Sequence, residues 1–133
     1  MLVTGAARGR GRSHAVRLAE EGADLILVDI CESLPELEYP LATVADLDET
    51  ARLVGEFGRH AVSRVVDVRD EAALKEAVTD GVTELGGLDA AVANAGVLTA
   101  GTWDMTTDAR WRDGLDGNLA GAWDTCTGAH PHV

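Results

Sequence analysis

The sequence predicts a doubly wound α/β fold, in which a parallel sheet of about four strands carries helices on both faces. Short apolar runs alternate with longer amphipathic segments through the 133 residues. Four apolar runs have the length and composition of strands, and they span residues 2–3, 25–28, 61–66 and 88–93. Because parallel neighbours need a long crossover, the helix-length segment after each run favours a parallel sheet.

Three helices are expected between these strands, each with a start or stop signal. The first begins at residues 11–13 and ends at Gly22, and the second begins with the capping-box pair Thr43 and Asp46 and ends before Gly58. Asp70 caps the third, which Gly-Gly at 86–87 ends. The side chains expected to face the core are Ala15, Leu18 and Ala19, then Leu47, Ala51 and Val54, then Leu74, Val78, Val82 and Leu85.

The segment from Thr106 onward predicts one or two further helices. Their expected inward face consists of Leu115, Leu119, Ala122 and Cys126, which recur at helical spacing. No repeat or linker interrupts the chain, so residues 1–133 are expected to form a single domain.

Composition excludes several classes of function. The chain has 11 Lys and Arg against 23 Asp and Glu, and its net charge of −12 opposes binding to nucleic acid. No apolar run approaches the roughly 18 residues of a membrane span. Cys31 and Cys126 lie far apart, so neither a disulfide nor a metal site is expected. With no signal segment before the first strand, the expected location is cytoplasmic.

A glycine-rich turn joins the first strand to the first helix. Gly5, Gly9 and Gly11 have the spacing GxxxGxG. Glycines at this place allow a tight turn and let a ligand approach the backbone, while the helix N-terminus offers N–H groups to a pyrophosphate. The turn alone could be an ordinary loop, but its place between a strand and a helix favours dinucleotide binding.

Asp29 ends the second predicted strand, where a carboxylate can accept hydrogen bonds from the ribose hydroxyls of a bound nucleotide. Three arginines near the turn, Arg8, Arg10 and Arg12, offer the alternative of binding the extra phosphate of NADP. A carboxylate about 4 Å from that phosphate costs about 4 kcal/mol per charge pair at moderate dielectric. The predicted cofactor is therefore NAD.

Four motifs in order resemble the short-chain dehydrogenase/reductase family. They are the glycine turn, Asp67-Val68 after the third strand, Asn94-Ala95-Gly96 after the fourth, and the helix motif that begins at Asn118. Position 93 is Ala where the family pattern NNAG has its first Asn. The resemblance implies a Rossmann-type sheet and hydride transfer between NAD and a secondary alcohol or ketone. The candidate cofactor-binding residues are Gly5, Ala7, Arg8, Gly9, Arg10, Gly11, Asp29, Ile30, Asp67, Val68, Asn94, Ala95 and Gly96.

Two stretches narrow the resemblance, residues 5–31 and the insertion SLPELEYPLAT at residues 33–43. Together they are similar to the mycofactocin-associated, carveol-dehydrogenase-like subgroup, whose members are taken to oxidise secondary alcohols and hold their cofactor tightly. The alternative is an ordinary surface loop around Pro35 and Pro40.

Relative to the family pattern the sequence is incomplete at both ends, and it lacks the family's Tyr-x-x-x-Lys pair. Tyr39 and Lys75 are its only Tyr and Lys, and neither has the required partner. The resemblance gives Asn118 a proton-relay role, but turnover by this chain alone is not expected. His130 and His132, with no third ligand at readable spacing, are expected to lie in a frayed terminus.

Three functions remain open from the sequence. The first is the cofactor-binding half of an NAD-dependent dehydrogenase, which acts on a small alcohol or ketone, with homo-oligomerisation left open. The second is a non-catalytic NAD-binding module or interaction fragment. A methyltransferase-like nucleotide fold ranks last, because Asn94 and Asn118 have no role there.

An unpaired apolar edge at residues 88–92 predicts marginal stability, which a sharp cooperative melt of a clean monomer would contradict.

Overall fold

Four parallel strands form one sheet in the order β3-β2-β1-β4. The computed structural model describes residues 1–133. The strands are β1 (Leu2–Thr4), β2 (Leu25–Asp29), β3 (Ala61–Val65) and β4 (Ala91–Val92). In register, Val3 of β1 lies between Leu27 of β2 and Val92 of β4. The predicted parallel sheet is confirmed, with the change of strand order falling between β1 and β4.

Five helices and three short turns complete the chain. The helices are α1 (Gly9–Glu20), α2 (Val44–Glu56), α3 (Glu71–Leu85), α4 (Asp108–Leu115) and α5 (Gly121–Ala129). A π turn (Asp116–Ala120) joins α4 directly to α5, and 3-10 turns lie at Trp103–Met105 and His130–His132. None of these helices combines the length and apolarity needed to cross a bilayer.

The sheet carries a buried layer on each face, as expected for a doubly wound fold. On one face the strand residues Val3, Leu25 and Leu27 pack with small and apolar side chains of α1 and α2. On the other, Leu2, Ile26 and Val28 pack with α3 and the end of α5. All five residues of β2 are buried, which explains its unbroken apolar run LILV.

The predicted helix signals are confirmed in detail. The Thr43 hydroxyl accepts a hydrogen bond from the Asp46 N–H, and the Asp46 carboxylate accepts one from the Thr43 N–H. Asp70 caps α3 by accepting from the Ala73 N–H. Gly86 ends α3 in the left-handed region, with φ of 84°.

The predicted inward face of the C-terminal helices is wrong. Leu115, Leu119 and Cys126 are exposed and Ala122 is only half-buried. The buried residues are the small ones, Gly117, Gly121, Thr125, Gly128 and Ala129. A side chain on Gly121 would come within 2.5 Å of the Val68 Cγ2, so α5 lies too close to its neighbours for large residues on that face. Shape, rather than hydrophobicity, selects the buried side.

Two predicted boundaries also move. The fourth strand keeps only Ala91–Val92 of residues 88–93, and Leu88 is buried in the core before the strand begins. The first helix begins at Gly9, two residues before the predicted start, because the glycine turn itself forms its first turn. β4 pairs with β1 alone and is one of the two edge strands of the sheet.

Gly81 of α3 offers a test of this packing. A methyl group there would lie 2.7 Å from both Cδ1 and Cγ1 of the fully buried Ile26. We expect Gly81→Ala to lower the free energy of unfolding in urea by about 1–3 kcal/mol. Gly55→Ala in α2, where nothing lies within 4 Å, is the control and should be neutral or stabilising by up to about 1 kcal/mol. Equal effects at the two sites would contradict the packing of α3 on β2.

Candidate functional site

A cleft of about 250 Å³ lies at the carboxyl ends of the parallel strands. In open α/β sheets this edge is where ligands bind, beside the change of strand order. We call it the strand-end cleft. Of the predicted cofactor-binding residues, those that line it are Gly5, Arg8, Gly9, Arg10, Gly11, Asp29, Ile30, Asp67, Val68, Asn94, Ala95 and Gly96. The remaining one, Ala7, is fully buried behind it. The structure brings these residues together, and their contact with a cofactor stays a prediction.

The glycine turn is shaped by close backbone approach. Gly5 has φ of 66°, and a Cβ there would lie 2.8 Å from the Ala95 Cα. A Cβ on Gly11 would lie 1.9 Å from the Gly5 carbonyl oxygen. No side chain caps the N-terminus of α1, which begins at Gly9. The first-turn N–H groups of α1 therefore have neither intrahelical partners nor a cap, and they suit an anionic group.

Asn94 and Thr4 tie the turn after β1 to the turn after β4. The Asn94 side-chain amide donates to the carbonyl oxygens of Thr4 (3.0 Å) and Gly5 (3.2 Å). In return the Thr4 hydroxyl accepts from the backbone N–H groups of Asn94 and Ala95, both at 3.2 Å. Four hydrogen bonds thus fix the floor of the cleft at the β1–β4 junction.

Asp29 is a buried carboxylate that is already part of the local backbone network. One oxygen accepts from the Ala7 N–H at 2.9 Å and the other from the Cys31 N–H at 3.2 Å. A carboxylate has about four acceptor positions, so the remaining two are available to hydroxyl donors. Arg8 and Arg10 are exposed at the cleft rim and form no ion pair with Asp29.

Arg12 points away from the cleft, which removes it from the phosphate-binding candidates. Its guanidinium donates to the carbonyl oxygens of Ala7 (2.6 Å) and Asp46 (2.7 Å) and to the Thr50 hydroxyl (3.0 Å). The buried Thr50 hydroxyl itself lies 3.0 Å from the Ala6 carbonyl oxygen. Arg12 and Thr50 therefore fasten the glycine turn to α2, a role with no signal in the sequence.

The carboxylate of Asp67 faces the cleft beyond the end of β3. Its oxygens accept from the Arg69 N–H (2.9 Å) and the Arg69 Nε (2.8 Å). The side-chain hydrogen bond to Asp67 raises the pKa of the Arg69 guanidinium above its usual range. Arg69 also bonds Asp113 of α4 at 2.7 Å. Sequence reasoning missed both Arg69 and Asp113, since the latter lies 44 residues away.

Asn118 lies in the π turn and is bound to the backbone beyond β4. Its Oδ1 accepts from the Val97 N–H at 2.7 Å and its Nδ2 donates to the Val97 carbonyl at 2.8 Å. A Cβ on Gly96 would lie 2.8 Å from the Asn118 Oδ1, so the small size of glycine lets the two residues approach this closely. The predicted motifs at residues 94–96 and 118 are therefore adjacent in space.

The inserted segment 33–43 packs against the chain after β4. The Tyr39 hydroxyl accepts from the Leu98 N–H at 2.8 Å, and Glu38 pairs with Arg110 of α4 at 2.8 Å. The Glu36 carboxylate lies 3.4 Å from the Thr107 hydroxyl. Tyr39 thus holds two loops together. Lys75 forms an ion pair with Glu71, one turn earlier on α3, at 2.5 Å.

Cys31 provides a probe of the buried acidic corner beside Asp29. Burial, and next the negative charge of Asp29, raise the pKa of the Cys31 thiol to about 11. The residue also has φ of 51° in the left-handed region, which is uncommon outside glycine.

We expect alkylation of Cys31 by iodoacetamide, followed in a Cys126→Ser background, to rise only as the pH approaches this value. Asp29→Asn should shift the profile to lower pH, because removing a like charge favours the thiolate. Asp80→Asn, on the exposed side of α3, is the control and should leave it unchanged. A profile centred near the ordinary pKa of cysteine would contradict this environment.

The chain is similar to known proteins both in sequence and in fold. Residues 1–133 match the family model described as short chain dehydrogenase. A (−)-trans-carveol dehydrogenase of Rhodococcus erythropolis is 47% identical over 134 residues, which cover 99% of this chain and 48% of that protein.

Two solved structures superpose on the chain with a TM-score of 0.96. One is carveol dehydrogenase from Mycobacterium avium in complex with NAD, 53% identical, with 99% of this chain and 48% of that one covered. The other is a short chain dehydrogenase from Mycobacterium paratuberculosis bound to NAD, 49% identical, with 98% and 49% covered. The chain spans about half the length of these relatives. Since the family model matches every residue, the chain belongs to the short-chain dehydrogenase family.

Proposed function

We propose that this chain binds NAD in the strand-end cleft and is the cofactor-binding half of a dehydrogenase that acts on secondary alcohols or ketones. The observation that carries the proposal is the convergence of an uncapped helix N-terminus and a buried strand-end carboxylate on one cleft. The first suits a pyrophosphate and the second a ribose diol. The relatives bound to NAD support the same cofactor.

Each part of the cleft has a proposed partner in the cofactor. The first turn of α1 binds the pyrophosphate, and Asp29 accepts from the adenosine ribose hydroxyls. Asp67 and Val68 lie where adenine would bind, and residues 94–96 flank the nicotinamide ribose. The absence of a Cβ at Gly5 and Gly11 lets these elements meet without closing the cleft. When bound, the cofactor supplies the hydride acceptor of the family reaction.

Asp29 also supports NAD over NADP. The residue is only 8% exposed and its carboxylate is held by two backbone N–H groups, so it cannot swing away from a phosphate on the ribose. Arg12 could have offset the repulsion between Asp29 and that phosphate, but its guanidinium is hydrogen-bonded to Asp46 and Thr50 of α2. Arg8 and Arg10 remain at the rim, where solvent screens their charge.

Asn118 is the one residue with a proposed part in proton transfer, through a relay to the substrate. Residues 1–133 contain no Tyr-x-x-x-Lys pair, whose tyrosine moves the substrate proton in the family reaction. We therefore expect the chain by itself to bind the cofactor without turnover. The second candidate, a non-catalytic NAD-binding module, shares this expectation.

Partners and location follow as part of the proposal. Trp111, Leu115, Leu119 and Trp123 form an exposed apolar stripe along α4, the π turn and α5, which supports association with a second copy. Both cysteines are free thiols, which suits a reducing compartment such as the cytoplasm.

Titration of the purified chain with NADH, followed by fluorescence or calorimetry, tests the proposed function. We expect saturable binding, weakened about tenfold or more by Asp29→Ala because a charged hydrogen bond is lost. Asp80→Ala removes the same charge from exposed α3 and should bind as the parent chain does. NADPH should bind more weakly than NADH to the parent chain, and Asp29→Ala should narrow that difference.

Incubation with NAD and a panel of secondary alcohols completes this test. Absorbance at the NADH wavelength should stay at background for residues 1–133. Turnover above background would refute the expected inactivity, and the lack of any saturable NADH binding would refute the cofactor assignment.

A further inference from the structure

Helix α4 lacks the apolar anchoring of the other helices. None of its residues, Asp108–Leu115, is buried. By contrast, α2 and α3 each bury several residues in the two core layers. A helix without a buried face depends on its polar contacts for its position. Besides its continuity with α5 through the π turn, the polar contacts of α4 therefore fix where it lies relative to the strand-end cleft.

One of these contacts leads directly to the adenine end of the cleft. Three nitrogens of Arg69 contact the Asp67 carboxylate: the backbone N–H, Nε and Nη2. The last of these lies 2.6 Å from the Asp67 Oδ2. Its remaining guanidinium nitrogen, Nη1, donates to Asp113 Oδ1 at 2.7 Å. The three side chains are 20–28% exposed, so solvent screens this network less than it screens a surface pair.

The other end of the same helical segment is bound to the opposite side of the cleft. The π turn follows α4 without a break, and Asn118 within it makes two hydrogen bonds to the Val97 backbone. The segment 108–120 thus spans the cleft between Arg69 on one side and Val97 on the other. Loss of the first contact leaves α4 without its link to the β3–α3 loop.

We infer that Arg69 is a positioning residue that couples occupation of the adenine site at Asp67 to the position of α4 and Asn118. This inference rests on the proposed function, because it takes Asp67 to face adenine. Arg69 holds the Asp67 carboxylate in one orientation, with Nε and Nη2 on its Oδ2 and the backbone N–H on its Oδ1. Because Nη1 of the same planar guanidinium holds Asp113, ordering of the Asp67 carboxylate is transmitted to Asp113. Binding of the adenine moiety then orders α4, and a position of α4 that favours Asn118 strengthens adenine binding in return.

Hydrogen exchange with AMP as the probe tests this coupling, because AMP has an adenine but no nicotinamide. In the parent chain, saturating AMP should slow amide exchange in residues 108–120. In Asp113→Ala the nucleotide should still bind, but this protection should be lost, because the link from Arg69 to α4 is gone. Arg69→Met removes the charge-assisted hydrogen bonds that orient the Asp67 carboxylate toward adenine. This variant should therefore bind AMP about tenfold more weakly and should also lose the protection.

Arg64→Met is the matched control. Arg64 is 29% exposed against 28% for Arg69, and it pairs with Glu84 outside the cleft. This variant should keep both the AMP affinity and the protection. If Arg69→Met fails to fold, Asp113→Ala and Asp113→Asn carry the test, since neither removes a buried group.

Two outcomes would overturn the inference while leaving the proposed function intact. In the first, the parent chain binds NADH, but AMP slows exchange in residues 108–120 of Asp113→Ala as much as it does in the parent chain. The other is unchanged AMP affinity in Arg69→Met. Failure of the parent chain to bind NADH or AMP would instead refute the proposed function and, with it, this coupling.

Discussion

The contact between the turns after β1 and β4 is the constraint on which the strand-end cleft depends. Thr4 and Gly5 meet Asn94 and Ala95 through four hydrogen bonds, at a distance that excludes a Cβ on Gly5. This junction lies where the strand order reverses, so it sets how far the two halves of the sheet separate at their carboxyl ends. The uncapped first turn of α1 and the carboxylate of Asp29 lie around this junction.

Polar side chains, more than apolar packing, connect the cleft to the rest of the fold. Arg12 fastens the glycine turn to α2, Arg69 joins Asp67 to α4, and Asn118 binds the backbone after β4. Arg12 and Arg69 exchange hydrogen bonds to water for several bonds to partly buried groups, and Asn118 makes two bonds to the backbone of Val97. Such directed bonds fix orientation better than hydrophobic contact does. The core layers give the molecule stability, and these links give the site its geometry.

Much of this architecture could be predicted from the sequence because its signals are local. The capping box at Thr43, the cap at Asp70 and the glycine turn each depend on residues within one turn of chain. The motifs at Asn94 and Asn118 were identified by resemblance, and the structure places them in contact through Gly96 and Val97.

The rest depended on distances that no local pattern reports. Arg12 is a candidate for phosphate binding by its place in the sequence, yet two of its three hydrogen-bond partners lie 34 and 38 residues away on α2. The C-terminal helices turn small residues inward because Val68 and α3 lie close to them, so the apolar stripe at Leu115 and Leu119 faces solvent. Side-chain type alone could not reveal either arrangement.

The central claim is that backbone N–H groups and strand-end carboxylates of one preformed cleft bind a dinucleotide. Chemical-shift perturbation of the ¹⁵N-labelled chain by NADH tests it most directly, because the backbone amides themselves are observed. The largest shifts should fall on residues 5–11, 29–31, 67–69 and 94–97, with little change in the buried middle of β2. Shifts that are absent, or that concentrate on the exposed stripe at Trp111 and Trp123, would contradict it.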